Sequence, residues 1–330
     1  MKIRINKTRI RVLIFLTTVF LFIPSVSASP EKGYRISVSQ FVEHPALDAV
    51  LKGFQDYLAE KQIKVDYAVH NAQANMATAG QIANQIMGEA PDLILAIATP
   101  TAQAIAQGLK KADHMGDTAF VFSAVTDPVK AGLVKSLENP GSNITGVSDL
   151  LPVDKHMEMV KTFFPDLKRL GVIYNSGEAN SKATVAQIQD EGRKMGFDVV
   201  EATVTKSSEV FQAAKSLVGR VDAVFIPTDN TVVSTLESAI KVCIQNKLPL
   251  FCADVDSVAR GAVAAMGFDY YRHGYQTGAM AEKILKGADP GTLPVESQKA
   301  LQLHLNLPYA DQMGVAVPPE ILSRADKIYR

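Results

Sequence analysis

Phe122-Ser123-Ala124-Val125-Thr126-Asp127-Pro128-Val129 and Phe251-Cys252-Ala253-Asp254-Val255-Asp256-Ser257-Val258 align without a gap, and the same register sets Gly132 on Gly261. A second pair lies upstream of these in the same order. Pro91-Asp92-Leu93-Ile94-Leu95 followed by Thr99-Pro100-Thr101 matches Val221-Asp222-Ala223-Val224-Phe225 followed by Thr228-Asp229-Asn230. Each is a short apolar run that ends in polar residues and passes into a helical pattern. Two matches in one order mean that the chain carries two copies of one α/β unit.

Working outward, strand and helix patterns alternate along the chain. Strands are expected at 35–39, 64–69, 92–97, 119–122 and 144–147, with helices at 47–58, 78–87, after Thr99 and from Pro128. The second copy repeats this with strands at 170–174, 199–204 and 223–226 and helices at 183–195 and 209–218. Such alternation predicts doubly wound parallel sheets with helices on both faces. An amphipathic helix with Met157, Val160 and Phe164 on one face lies between the copies. Beyond the second copy come a strand at 263–268, a helix at 274–286 and a strand at 301–305. Elements left over after two copies imply that the chain crosses back between lobes, forming a multi-crossover hinge and a closable cleft. The expected division is residues 29–150 plus about 270–290 for the N-terminal lobe, and 151–269 plus about 291–330 for the C-terminal lobe.

A chain of 330 residues suits two domains, and its hydrophobic content of 47% can fill two cores. Formal net charge is +0 with no basic run beyond the extreme N-terminus, which excludes nucleic acid as partner. Lys2, Arg4, Lys7, Arg9 and Arg11 precede an apolar run from Val12 to Ile23, then Pro24 and the small residues Val26-Ser27-Ala28. This is the layout of a cleaved signal peptide spanning 1–28, with the cut after about Ala28. The apolar run falls short of the ~20 residues that span a bilayer core. The mature chain is expected to be soluble, exported and monomeric. Export permits a disulfide between Cys243 and Cys252, and two separate buried thiols fit the spacing equally. No His or Cys pair has metal-ligand spacing, and no metal or cofactor is expected.

Ligands of doubly wound sheets sit beyond the carboxyl ends of the strands. In the first copy those positions hold Gln40, Phe41 and His44, then Thr99 and Thr101, then Ser123 with Asp127. In the second they hold Asn175, Glu178, Asn180 and Ser181, then Thr228, Asp229 and Asn230, then Asp254. Hydroxyls would face carboxylates, which suits a zwitterion: a carboxylate at the helix start beside Thr99 and Thr101, and an ammonium near Asp229, Asp254 or Glu178. Each of these residues alone serves equally well as a helix cap. As a set at the mouth of both sheets they point to binding. Tyr270 and Tyr271 either line the cleft or pack in a crossover. Of the six histidines only His44 stands at a strand end, and most of the others are expected on the surface.

Ala98-Thr99-Pro100-Thr101-Ala102-Gln103, Ala124-Val125-Thr126-Asp127-Pro128, Asn175-Ser176-Gly177-Glu178-Ala179-Asn180-Ser181 and Pro227-Thr228-Asp229-Asn230 carry a family resemblance. The chain resembles the tryptophan/tyrosine-type substrate-binding proteins of bacterial ABC importers, which have the type I periplasmic-binding fold. That resemblance implies an aromatic amino acid as ligand, with an ABC permease and its ATPase in the inner membrane as partners. Members are often lipoproteins. This chain has no acylated cysteine after its apolar run, which implies a free periplasmic protein. The chain lacks a Gly-x-Gly-x-x-Gly motif, a P-loop and a nucleophile elbow, which argues against an enzyme. A nucleobase or nucleoside binder and a periplasmic ligand-sensing subunit are the alternative readings; the absence of Trp ranks sugars lower.

Overall fold

Met1 and residues Gly33–Arg330 are described by the computed structural model; the expected signal peptide and its expected cut after about Ala28 lie outside the described residues. The first copy runs β1 (Tyr34–Gln40), α1 (Pro45–Glu60), β2 (Val65–Asn71), α2 (Met76–Glu89), β3 (Leu93–Ile97), α3 (Thr99–Leu109), β4 (Ala119–Val125) and β5 (Ile144–Ser148). After α4 (Val153–Phe163), the second runs β6 (Arg169–Asn175), α5 (Ala179–Met195), β7 (Asp198–Val204), α6 (Val210–Leu217), β8 (Ala223–Ile226), α7 (Asn230–Val233), α8 (Leu236–Gln245), β9 (Leu250–Cys252), α9 (Asp256–Arg260) and β10 (Ala264–Gly267). The remainder is α10 (Tyr270–Leu285), β11 (Glu296–Ser297), β12 (Gln302–Asn306), α11 (Leu307–Gln312), α12 (Pro319–Arg324) and β13 (Lys327–Tyr329).

Local chemistry sets the helix ends. Proline opens α1 and α3, where a missing N–H is tolerated. Asn75 caps α2 by accepting from the Thr78 N–H at 3.0 Å, and Gly196 ends α5 in the left-handed region. The continuous apolar run of β3 is fully buried, as expected of a central strand covered on both faces.

The strands form two sheets, ordered β11-β5-β4-β3-β1-β2 and β13-β12-β10-β9-β8-β6-β7. The first five strands of each copy therefore share the doubly wound order 2-1-3-4-5, and the sequence repeat is a repeat of topology. Two hydrophobic cores follow the same division. One gathers Ile36 to Val147 with Tyr270 to Ile284; the other gathers Leu151 to Phe268 with Leu303 to Ile321. The chain crosses between lobes after β5, after β10 and after β11.

On its return, α10 lies directly on α1. A β-carbon added at Gly53 would collide with the Tyr271 carbonyl, and one at Gly274 with that of Val50. Backbone thus meets backbone, which only glycine permits.

Four expectations change. The returning segment of the first lobe extends past residue 290, because Leu293 and Val295 pack on its core and β11 joins its sheet. Pro128 opens only a hydrogen-bonded turn, ended by Gly132 at φ +74, whereas the matching stretch of the second copy forms α9, ended by Gly261 at φ +132. The second sheet is not wholly parallel: β12 pairs antiparallel with β10, and β13 runs alongside β12. The chain reaches β12 from the other lobe and not through a local helix, so no parallel crossover is imposed. Four histidines, His44, His156, His273 and His304, are buried.

Candidate functional site

The carboxyl ends of the two sheets face each other across a cleft. Its first wall is the start of α1 (His44, Ala46, Leu47) with Ala124 and Thr126 at the end of β4. Its second wall is Asn180 at the start of α5, Thr228, Asp229, Asn230 and Val233 around α7, and Asp254 after β9. Asp149 on the first crossover and Tyr270 on the second complete the floor.

The second wall is a network built on two buried carboxylates. Glu178 accepts from Thr231 N–H at 2.9 Å and its hydroxyl at 2.7 Å, and from Asn230 N–H at 3.2 Å and its amide at 2.6 Å. Asp229 caps α7 through Val232 N–H at 2.8 Å. Its other oxygen accepts from Asn175 N–H and the Ser181 hydroxyl, both at 2.6 Å. Asn175 closes its own turn by accepting from Gly177 N–H at 2.7 Å. Burial, and then the neighbouring charge of Glu178, pushes Asp229 up to about 8, with its three donors pulling the other way. Burial also raises Asp254, whose oxygens accept from Ser257 N–H at 2.8 Å and its hydroxyl at 2.7 Å.

The first wall is less satisfied. Neither ring nitrogen of buried His44 completes a hydrogen bond among the described residues. Burial drives its pKa down to about 4, a shift that Asn230 across the cleft opposes and the charge of Arg260 reinforces. The buried Thr99 hydroxyl, at the start of α3, likewise lacks a partner among the described residues. No side chain lining the described cleft is a lysine or arginine.

Of the residues named from sequence, His44, Asn180, Thr228, Asp229, Asn230 and Asp254 line the cleft. Glu178, Ser181 and Asn175 support it from behind. The others turn into their own lobe. Gln40 holds Val42 O and Asp48, Thr101 donates to Ile97 O and Ala98 O, and Ser123 meets Thr277 on α10. Asp127 accepts from Lys130 N–H in the turn after β4. Phe41 is fully buried in the first core. The two cysteines are free buried thiols and form no bridge; burial raises both, so they pack as small apolar groups. Of the tyrosine pair, Tyr270 lines the cleft, while Tyr271 is exposed with its hydroxyl on Asp56. Asp149 was not anticipated. It follows β5, so the strand-end rule reaches it, but its segment reads as a connection.

The space between the walls is about 340 Å³ counted to its mouth. Helix α1 touches α9, and α3 touches α5, across the divide.

Comparisons with known proteins agree with this geometry. The model of the family described as ABC transporter substrate binding protein matches residues 35–329. The chain is 43% identical over 282 residues to the "Tyrosine-binding protein" of Clostridioides difficile (strain R20291), covering 84% of this chain and 79% of that one. It superimposes with TM-score 0.85 on a Streptococcus pneumonia ABC domain in complex with L-Trp, at 32% identity over 90% of this chain and 100% of that one. Against the ligand-free, open structure of a Clostridium difficile substrate-binding protein with adhesive properties, the TM-score is 0.65. Identity is then 39%, over 90% of this chain and 99% of that one. The chain thus superimposes better on the L-Trp complex than on the ligand-free, open structure, although its identity to the latter is higher.

Proposed function

The chain belongs to the ABC transporter substrate-binding protein family, and we propose that its cleft captures a zwitterionic aromatic amino acid for import. As a member it binds a small molecule on behalf of a transporter and is not an enzyme. The cleft carries this reading. Three aspartates and no lysine or arginine line it, which suits a cationic group, while the opposite wall holds the unpartnered polar atoms of His44 with Thr99 behind them. A ligand carboxylate would take those donors, helped by the free N–H groups at the start of α3. The ligand ring would lie against Ala46, Leu47, Val233 and Tyr270.

The close superposition on an L-Trp complex, and the relative named for tyrosine, support the aromatic side chain. The basic and apolar N-terminus supports export to the periplasm, where a monomer would hand its ligand to an ABC permease and ATPase. No helix among the described residues is long and apolar enough to cross a membrane.

A thermal-shift panel of amino acids, nucleosides and sugars tests the reading. A ligand at about 100 times its Kd adds about 2.7 kcal/mol of stability, so L-tyrosine and L-tryptophan should raise Tm by several degrees. A rise with a nucleoside or sugar alone would replace the aromatic amino acid with that class.

A further inference from the structure

We propose that Asp149, at the first crossover, receives the cationic nitrogen of the ligand; this assignment rests on the zwitterionic reading above. Three carboxylates line the cleft, and their bonding differs. Both oxygens of Asp229 are engaged by Val232, Asn175 and Ser181, and both oxygens of Asp254 by Ser257. Those two close helix starts in their own lobe. Asp149 is as deeply buried, yet only Oδ2 is engaged, by the Tyr270 hydroxyl at 2.9 Å. Its Oδ1 is buried with no partner among the described residues. Burial raises the Asp149 carboxyl, opposed by Tyr270 and by Thr126, which lies near without completing a hydrogen bond to Oδ1.

An unpaired carboxylate oxygen out of water is destabilising unless a donor reaches it. No lysine or arginine lines the described cleft to do so. An ammonium group brings three N–H donors and a full charge, which is what this oxygen lacks. The position also matters. Asp149 follows β5 and Tyr270 heads α10, so their hydrogen bond joins two of the three crossovers. A cation held at Oδ1 therefore binds at the hinge and not only on a lobe wall.

The test compares L-tyrosine with 3-(4-hydroxyphenyl)propionate, which differs by the missing amino group, on wild type and Asp149→Asn. Wild type should prefer L-tyrosine by about 10- to 100-fold, the range of a charge-assisted hydrogen bond, and Asp149→Asn should bring that preference close to unity. The ligand-free variant should melt at or above the wild-type temperature, since an unpaired buried charge has gone; a purely structural carboxylate would instead lower Tm. If Asp149→Asn retains the preference for the amino group, this assignment falls while the function stands. A wild type that binds no aromatic amino acid overturns both. Should Asp149→Asn fail to fold, Asp149→Ser decides: it removes the carboxylate and should lose the preference, and a folded Asp149→Ser that retains it overturns the assignment.

Discussion

Asp229→Asn, measured against pH, probes the acidic side of the cleft. Burial and the charge of Glu178 hold the folded Asp229 at about 8, against an ordinary 3.8. Between these values the folded chain keeps a proton that the unfolded chain has released. Its contribution to stability therefore falls as pH rises through that window and is level above about 8. Integrated from about pH 6.5 to about pH 8, the loss is about 1–2 kcal/mol, worth about 2–8 °C in Tm. Buried His44, His156 and His273 act in the opposite sense. Their folded values of about 4 mean that stability is gained as pH climbs from about 4 through 6.5.

The substitution removes the first effect and leaves the second, so the difference between the two proteins isolates Asp229. The variant should be less stable at about pH 6.5 by about 1–3 kcal/mol, because an amide nitrogen cannot accept from Ser181 or Asn175 N–H. That gap should narrow by about 1–2 kcal/mol by about pH 8. Urea unfolding followed by circular dichroism measures both quantities. Parallel pH profiles would mean that the folded carboxylate is charged throughout, and would refute the reasoning.

Two further substitutions separate packing from binding. Gly274→Ala should destabilise by about 1–3 kcal/mol in thermal melts despite a helix-propensity gain of about 1 kcal/mol, because the new methyl meets the Val50 carbonyl. Phe41→Ala should cost about 3–5 kcal/mol of stability and leave the ranking of ligands unchanged, since its ring lies in the first core.

The two-lobed fold was legible because the repeat spans strand, loop and helix together. Its register even aligned Gly132 with Gly261, both of which adopt positive φ. Less legible were β11 and β13, strands of two and three residues at sheet edges, too short to show periodicity. In the site, the rule of reading just past each strand found residues of both walls, but strand ends present side chains in two directions. Sequence could not separate His44, which faces the cleft, from Thr101, whose hydroxyl bonds back to Ile97 and Ala98, or Phe41, which turns into the core. Buried histidines escaped notice because their partners are backbone groups far away in sequence. His156 meets Met266 O at 2.7 Å, and His273 accepts from Ala124 N–H at 3.1 Å.

Calorimetric titration of the purified mature protein with L-tyrosine, L-tryptophan and L-leucine bears most directly on the claim that the cleft is an aromatic amino-acid site. The account predicts one site per chain for each aromatic ligand. L-leucine should bind more weakly by at least the roughly 0.5–1.5 kcal/mol of ring packing, or about 2- to 13-fold in Kd. Equal binding of all three would contradict the aromatic assignment, and no heat from any of them would contradict the amino-acid assignment itself.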